Sequence, residues 1–145
     1  MKIIVDTNVL IRAAVDDDPQ EARLARRALK EAERIVVTLP TLCEFVWILA
    51  RGYRFGVSDI TTAIHRLVAS ATVETDRPAA EAGLAMLEAG GDFADGIIVS
   101  EGRRLGGEVF VTFDRRAARL SKAMGGQTRL LAKKDAEPGA PRGRG

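Results

Sequence analysis

Lys2-Ile3-Ile4-Val5 runs without a polar break into Asp6, and this stretch constrains the fold more than any other. Three consecutive β-branched residues favour a strand. The absence of alternation suits a strand covered on both faces, in the middle of a parallel sheet. In open α/β sheets the ligand crevice lies outside the carboxyl ends of the strands, so an acid at that end points at a site rather than into the core. Asp6 can also be a plain strand terminator, and the useful question is which other acids can meet it.

The rest of the chain alternates. Asp18-Pro19-Gln20-Glu21 offers a cap, a proline at the first helical position and a glutamate able to complete a capping box, which predicts a helix over 18–33. A strand is expected over 35–38, then a helix opened by Pro40, running over 41–51 and closed by Gly52. That helix is apolar almost all round, with Glu44 the exception. Ser58 is expected to cap a third helix reaching residue 70, followed by a short strand over 72–74 and an alanine-rich helix from Asp76 to Gly90-Gly91. Asp92 and Asp95 open a fifth helix. A strand over 108–112 leads into Asp114 and a basic helix holding Arg115, Arg116 and Arg119, and residues 128–131 can supply an edge strand. With no internal repeat, this pattern predicts an α/β fold, a three-layer α/β/α sandwich around a central, mostly parallel five-stranded sheet.

At 145 residues the chain is the size of a single domain able to bury a core without staples. Cys43 is the only cysteine, which excludes an intrachain disulfide and a cysteine-ligated metal cluster and fits a reducing compartment. Four basic and two acidic residues in 133–145 account for the whole formal charge of +2, so the body is neutral and any case for nucleic-acid binding rests on local patches. The expected organisation is one domain over 1–132 and a disordered basic tail over 133–145. No basic-then-apolar leader opens the chain, and no apolar run approaches the roughly eighteen residues of a membrane span. A cytoplasmic protein with no membrane partner is expected.

Asp114 follows the fourth strand as Asp6 follows the first; if those strands are neighbours, the two carboxylates converge. Glu44 lies about one turn into its helix, and Asp92 and Asp95, three apart, share a face at the start of theirs. Glu44 is flanked by apolar Leu42, Cys43, Phe45 and Val46, and a buried acid without a partner is expensive, which favours a ligand role. Asp92 serves equally well as a helix cap. Ionised carboxylates brought together raise one another's pKa values, so such a cluster needs a cation. With oxygen ligands alone on offer, hard Mg²⁺ or Mn²⁺ fits better than Zn²⁺. The chemistry implied is metal-assisted phosphodiester hydrolysis.

Ile3-Ile4-Val5-Asp6-Thr7-Asn8-Val9-Leu10, then Glu44, then Asp92-Phe93-Ala94-Asp95-Gly96-Ile97-Ile98, then Val111-Thr112-Phe113-Asp114-Arg115 stand in the order seen in PIN-domain proteins, and the chain resembles that family. In length and motif spacing it is similar to the VapC toxins of type II toxin–antitoxin systems. The resemblance implies a Mg²⁺-dependent endoribonuclease, a homodimer, held inactive by an antitoxin whose peptide packs into the active-site groove. It also implies that Asp6, Glu44, Asp95 and Asp114 hold metal, that Asp92 is an additional acid, and that Asn8 and Thr112 brace the acids beside them. Gly96 departs from the alanine of many relatives; glycine there weakens a helix start by roughly 1 kcal/mol.

Other residues carry plainer readings. His65 reads as a surface position, Cys43 as core, and Trp47 as packing or dimer surface. Arg51, seven residues beyond Glu44 on the same helical face, can steer a phosphate. Arg103, Arg104, Arg115, Arg116 and Arg119 can form the basic patch an RNA ligand needs. A haloacid-dehalogenase-like phosphatase is the best rival, but it needs a second aspartate where Asn8 stands. A receiver-type domain lacks its acid pair and its lysine. A catalytically silent PIN-like binding module is the third class, and the presence of all four family acids argues against it.

Overall fold

A computed structural model describes residues 1–136 and divides the chain into two units, Met1–Ala80 and Glu81–Gly145. In the first, β1 (Lys2–Ile4), β2 (Arg34–Val36) and β3 (Val73–Glu74) form a parallel sheet in the order β1-β2-β3, with Ile3 beside Ile35 and Ile35 beside Val73. The helices α1 (Thr7–Ala14), α2 (Pro19–Glu31), α3 (Leu39–Arg51) and α4 (Val57–Ala69) connect the strands. Leu10, Ile11, Ile35, Val37, Leu42, Phe45, Leu49, Ile60 and Ile64 are buried. Among the described residues no helix is long and apolar enough to cross a membrane.

Helix α5 (Arg77–Glu88) leads into the second unit, where α6 (Phe93–Arg104), β4 (Val109–Thr112), α7 (Arg115–Ala123) and β5 (Gln127–Leu130) follow. β4 and β5 pair in parallel, with Phe110 beside Thr128 and Thr112 beside Leu130. Two helices meet here through glycines. The ring of Phe93, 1% exposed, lies over Gly83, and the backbone of Gly96 lies against the carbonyl of Ala82.

Five strands and alternating helices were expected and are present, and every strand pairing is parallel. A single five-stranded sheet is not shown among the described residues: hydrogen bonds join three strands in one sheet and two in another. Alternation along a sequence counts strands, whereas pairing partners are decided by side-chain packing and register. Among the described residues of the first unit β1 pairs with β2 alone, and Ile4 is 80% exposed rather than covered. Helix α1 was not anticipated; its buried stripe of Thr7, Leu10 and Ile11 has helical spacing, disguised by β-branched neighbours.

The caps behave as their chemistry requires. Asp18 accepts the Glu21 N–H at 3.0 Å and Asp76 accepts the Ala79 N–H at 3.1 Å. The capping box at α2 is only half made, because the Glu21 carboxylate turns to Arg12 Nε at 2.7 Å. Arg12 also pairs with Asp17, to which the Tyr53 hydroxyl donates at 2.7 Å, and that hydrogen bond chiefly holds the Asp17 carboxyl below its usual range. Gly56, not Ser58, stands at the start of α4, and Gly52 ends α3 in a right-handed conformation, so neither relies on the expected feature. Lys133–Ala136 form a 3-10 turn, and the remaining expected tail, 137–145, lies outside the described residues.

Candidate active site

In the first unit the site residues are set by the β1–α1 turn. Asp6 leaves the strand in an extended conformation and becomes the cap of α1, its Oδ1 accepting the Thr7 N–H at 2.8 Å. Thr7 is buried, and its hydroxyl donates to Glu44 Oε2 at 3.4 Å, a long hydrogen bond that nevertheless brings an α3 carboxylate beside the residue following Asp6. Both acids are exposed. Burial therefore does not argue for Glu44 as a ligand; the buried α3 face consists of Leu42, Phe45, Val46 and Leu49, and Glu44 faces away from it. Asn8 is exposed and makes no hydrogen bond to Asp6 among the described residues. Thr7, which the sequence pattern did not single out, makes the contacts to both acids. Its signal was available, since a threonine one residue past a capping acid presents both an N–H and a hydroxyl. Arg51 is exposed at the end of α3.

In the second unit Asp92 and Asp114 both act on Asp95. Asp92 stands at the N-cap position of α6, but its side chain makes no capping hydrogen bond, so its carboxylate is not committed to the helix end. Asp95 lies in the first turn and is half-buried. Burial raises its pKa above the usual carboxylate range, and the negative charges of Asp92 and Asp114 raise it further. Asp114 follows β4 and caps α7, with Oδ1 accepting the Ala117 N–H at 3.0 Å. Its own N–H donates to the Thr112 hydroxyl, also at 3.0 Å, so Thr112 shapes the turn that presents the acid.

The donor set is carboxylate oxygen throughout, the chemistry that suits a hard divalent cation. Among the described residues no three His, Cys, Asp or Glu side chains form a ready metal-holding group. The fit to such an ion rests on donor chemistry and on the charge stress at Asp95.

Parallel strands that hand their chains to aspartates, and a half-buried aspartate under electrostatic stress at a helix start, define an acid-site α/β protein. The chain belongs to the PIN domain family, whose model matches residues 3–123. PIN domains are generally metal-dependent nucleases. No curated protein gives a significant match to the chain.

Proposed function

We propose that this protein is a divalent-metal-dependent endoribonuclease, of the VapC type, acting as the toxin of a type II toxin–antitoxin pair in the cytoplasm. The observation that carries the reading is the stress at Asp95. A half-buried carboxylate beside two others is costly in a resting protein, and a cation relieves it. Asp6, Glu44, Asp95 and Asp114 are the proposed Mg²⁺ or Mn²⁺ ligands, with Asp92 as an additional acid and residues 1–132 as the domain. When bound, the ion supplies Lewis acidity toward water and the phosphodiester. The Thr7 hydroxyl orients Glu44 Oε2, and the Thr112 hydroxyl sets the turn that aims Asp114. Asp95 holds a proton to higher pH than an ordinary carboxylate, so ion affinity rises as pH carries it through that range.

The exposed arginines Arg115, Arg116 and Arg119 on α7 have no acidic partner among the described residues and support RNA as the substrate, with Arg51 as a further phosphate contact. A groove of about 980 Å³ in the first unit, lined by none of the proposed metal ligands, suits a peptide partner that extends beyond the acids. Apolar Leu10, Leu29, Phe45 and Phe55 line it beside Arg26 and Arg66, which suits an apolar peptide carrying acids. Trp47, 62% exposed, supports a homodimer surface.

Purified protein freed of any partner is expected to cut single-stranded or loop RNA with Mg²⁺ or Mn²⁺, leaving a 5′-phosphate and a 3′-hydroxyl, and to stop in EDTA. Cleavage that persists in EDTA overturns the mechanism. Hydrolysis of p-nitrophenyl phosphate without RNA cutting makes the protein a phosphatase instead. For the toxin role, expression is expected to arrest growth, and co-expression of a neighbouring small gene to relieve it. Thr7→Val, close in shape but lacking the hydroxyl, is expected to lower kcat/KM about tenfold. A gel assay under matched Mg²⁺ that finds unchanged cleavage removes Thr7 from the positioning scheme.

A further inference from the structure

The second unit contains a cavity of about 290 Å³ that the metal chemistry does not use. Along α6 it is bounded by Gly96, Val99, Ser100 and Arg103, spaced as one helical face. It therefore begins one residue beyond Asp95 and runs for about two turns, roughly 10 Å. Met86 and Met124 give it soft apolar walls.

Its polar groups are unspent. Ser121, which lines the cavity from α7, is only 2% exposed, and its hydroxyl has no hydrogen-bond partner among the described residues. An unpaired buried hydroxyl is a cost that a ligand can remove. Arg103 has no acidic partner among the described residues, and its guanidinium is packed over Gly126, where any Cβ would overlap Nη2. The glycine thus leaves room for the head of Arg103, an exposed side chain that also lines the cavity. A hydroxyl that both donates and accepts, a guanidinium fork and thioether walls match a flat heterocycle with mixed donors and acceptors.

We propose that this cavity receives one unstacked guanine base of a single-stranded RNA, adjacent to the phosphodiester that is cut. Guanine is favoured because its O6 and N7 acceptors fit the fork of Arg103. The inference deepens the nuclease reading and rests on it for the identity of the ligand.

The test uses the full chain in EDTA, with fluorescence anisotropy of a labelled hexauridylate and of the same hexamer carrying one guanosine. Wild-type protein is expected to bind the guanosine hexamer roughly tenfold more tightly. Ser121→Ala is expected to abolish that preference while leaving hexauridylate affinity in place, and Arg103→Met to abolish it while weakening both hexamers by the loss of one cation. Ser121→Ala is also expected to raise Tm, since it deletes an unpaired buried hydroxyl. Ala85→Phe, at an exposed α5 position lining the cavity, is expected to block entry without touching either polar group. No guanosine preference in wild type, weak binding of both hexamers included, overturns the proposal, as does a preference that survives all three variants. Cleavage in Mg²⁺ separates the two ideas. Cutting with no bias toward guanosine leaves the nuclease and removes the base site, whereas the preference without any cutting leaves the base site and removes the nuclease.

Discussion

Asp95→Asn is expected to abolish RNA cleavage and, in the absence of divalent ions, to raise Tm at neutral pH. The two effects have one cause. Burial first, then the carboxylates of Asp92 and Asp114, raise the Asp95 pKa in the folded chain above its unfolded value. The folded state then binds the proton more tightly than the unfolded state does. Stability is fully present below the ordinary carboxylate pKa and falls as pH rises through the raised one. At neutral pH the ionised side chain works against the fold, and asparagine removes that charge without changing the shape. Below pH 3 the advantage is expected to vanish, because Asp95 is then protonated in both states. Adding Mg²⁺ is expected to raise the wild-type Tm by ligand linkage and to leave the variant nearly unmoved. The loss of cleavage is expected to be on the order of a thousandfold, the upper end for a single electrostatic group. Thermal melts at two pH values with and without Mg²⁺, alongside a gel assay, read all of this. A variant that melts below wild type at neutral pH without metal contradicts the electrostatic account.

The acids after the strands were legible because burial of a strand and exposure of its end leave a strong local pattern. Asp6 and Asp114 stand directly after apolar runs, and both proved to cap the following helix as well as end a strand. Helix starts with a capping aspartate and a proline, at Asp18 and Asp76, were legible for the same reason: their chemistry lies within four residues. What depends on distant parts of the chain was not legible. Strand pairing is one case, since nothing in Lys2-Ile3-Ile4-Val5 names a partner strand. Glu44 is another: its apolar flanks suggested burial, yet on a helix those flanks point elsewhere and the carboxylate is exposed. Thr7 was passed over as part of a turn, although its contact with Glu44, 37 positions away, is what joins the two acids' surroundings. Gly96 was read as a weak point in a helix start, a purely local judgement that the α5–α6 contact overturns.

Gly96→Val is expected to destabilise the protein, and Gly102→Ala on the same helix is expected to stabilise it. Local propensity predicts a gain in both cases, because replacing glycine by alanine in a helix is worth roughly 1 kcal/mol. At Gly102 nothing lies within 4 Å of an added Cβ, so that gain of about 1 kcal/mol stands. At Gly96 an added Cβ would overlap the Ala82 carbonyl oxygen and lie 2.8 Å from the Gly83 Cα. These are backbone atoms and cannot swing aside, so α5 and α6 must separate. Overpacking of this kind costs typically about 1–3 kcal/mol, which exceeds the propensity gain even for alanine, and valine adds two further methyl groups. The separation also moves the neighbouring Asp95, and a displacement of about 1 Å at a reacting centre can cost on the order of a hundredfold in rate. Urea unfolding is expected to order the variants as Gly102→Ala, wild type, Gly96→Ala, Gly96→Val from most to least stable, with cleavage lost in the last two ahead of unfolding. A Gly96→Ala protein as stable as Gly102→Ala means that the two helices do not approach as closely as the Ala82 carbonyl requires.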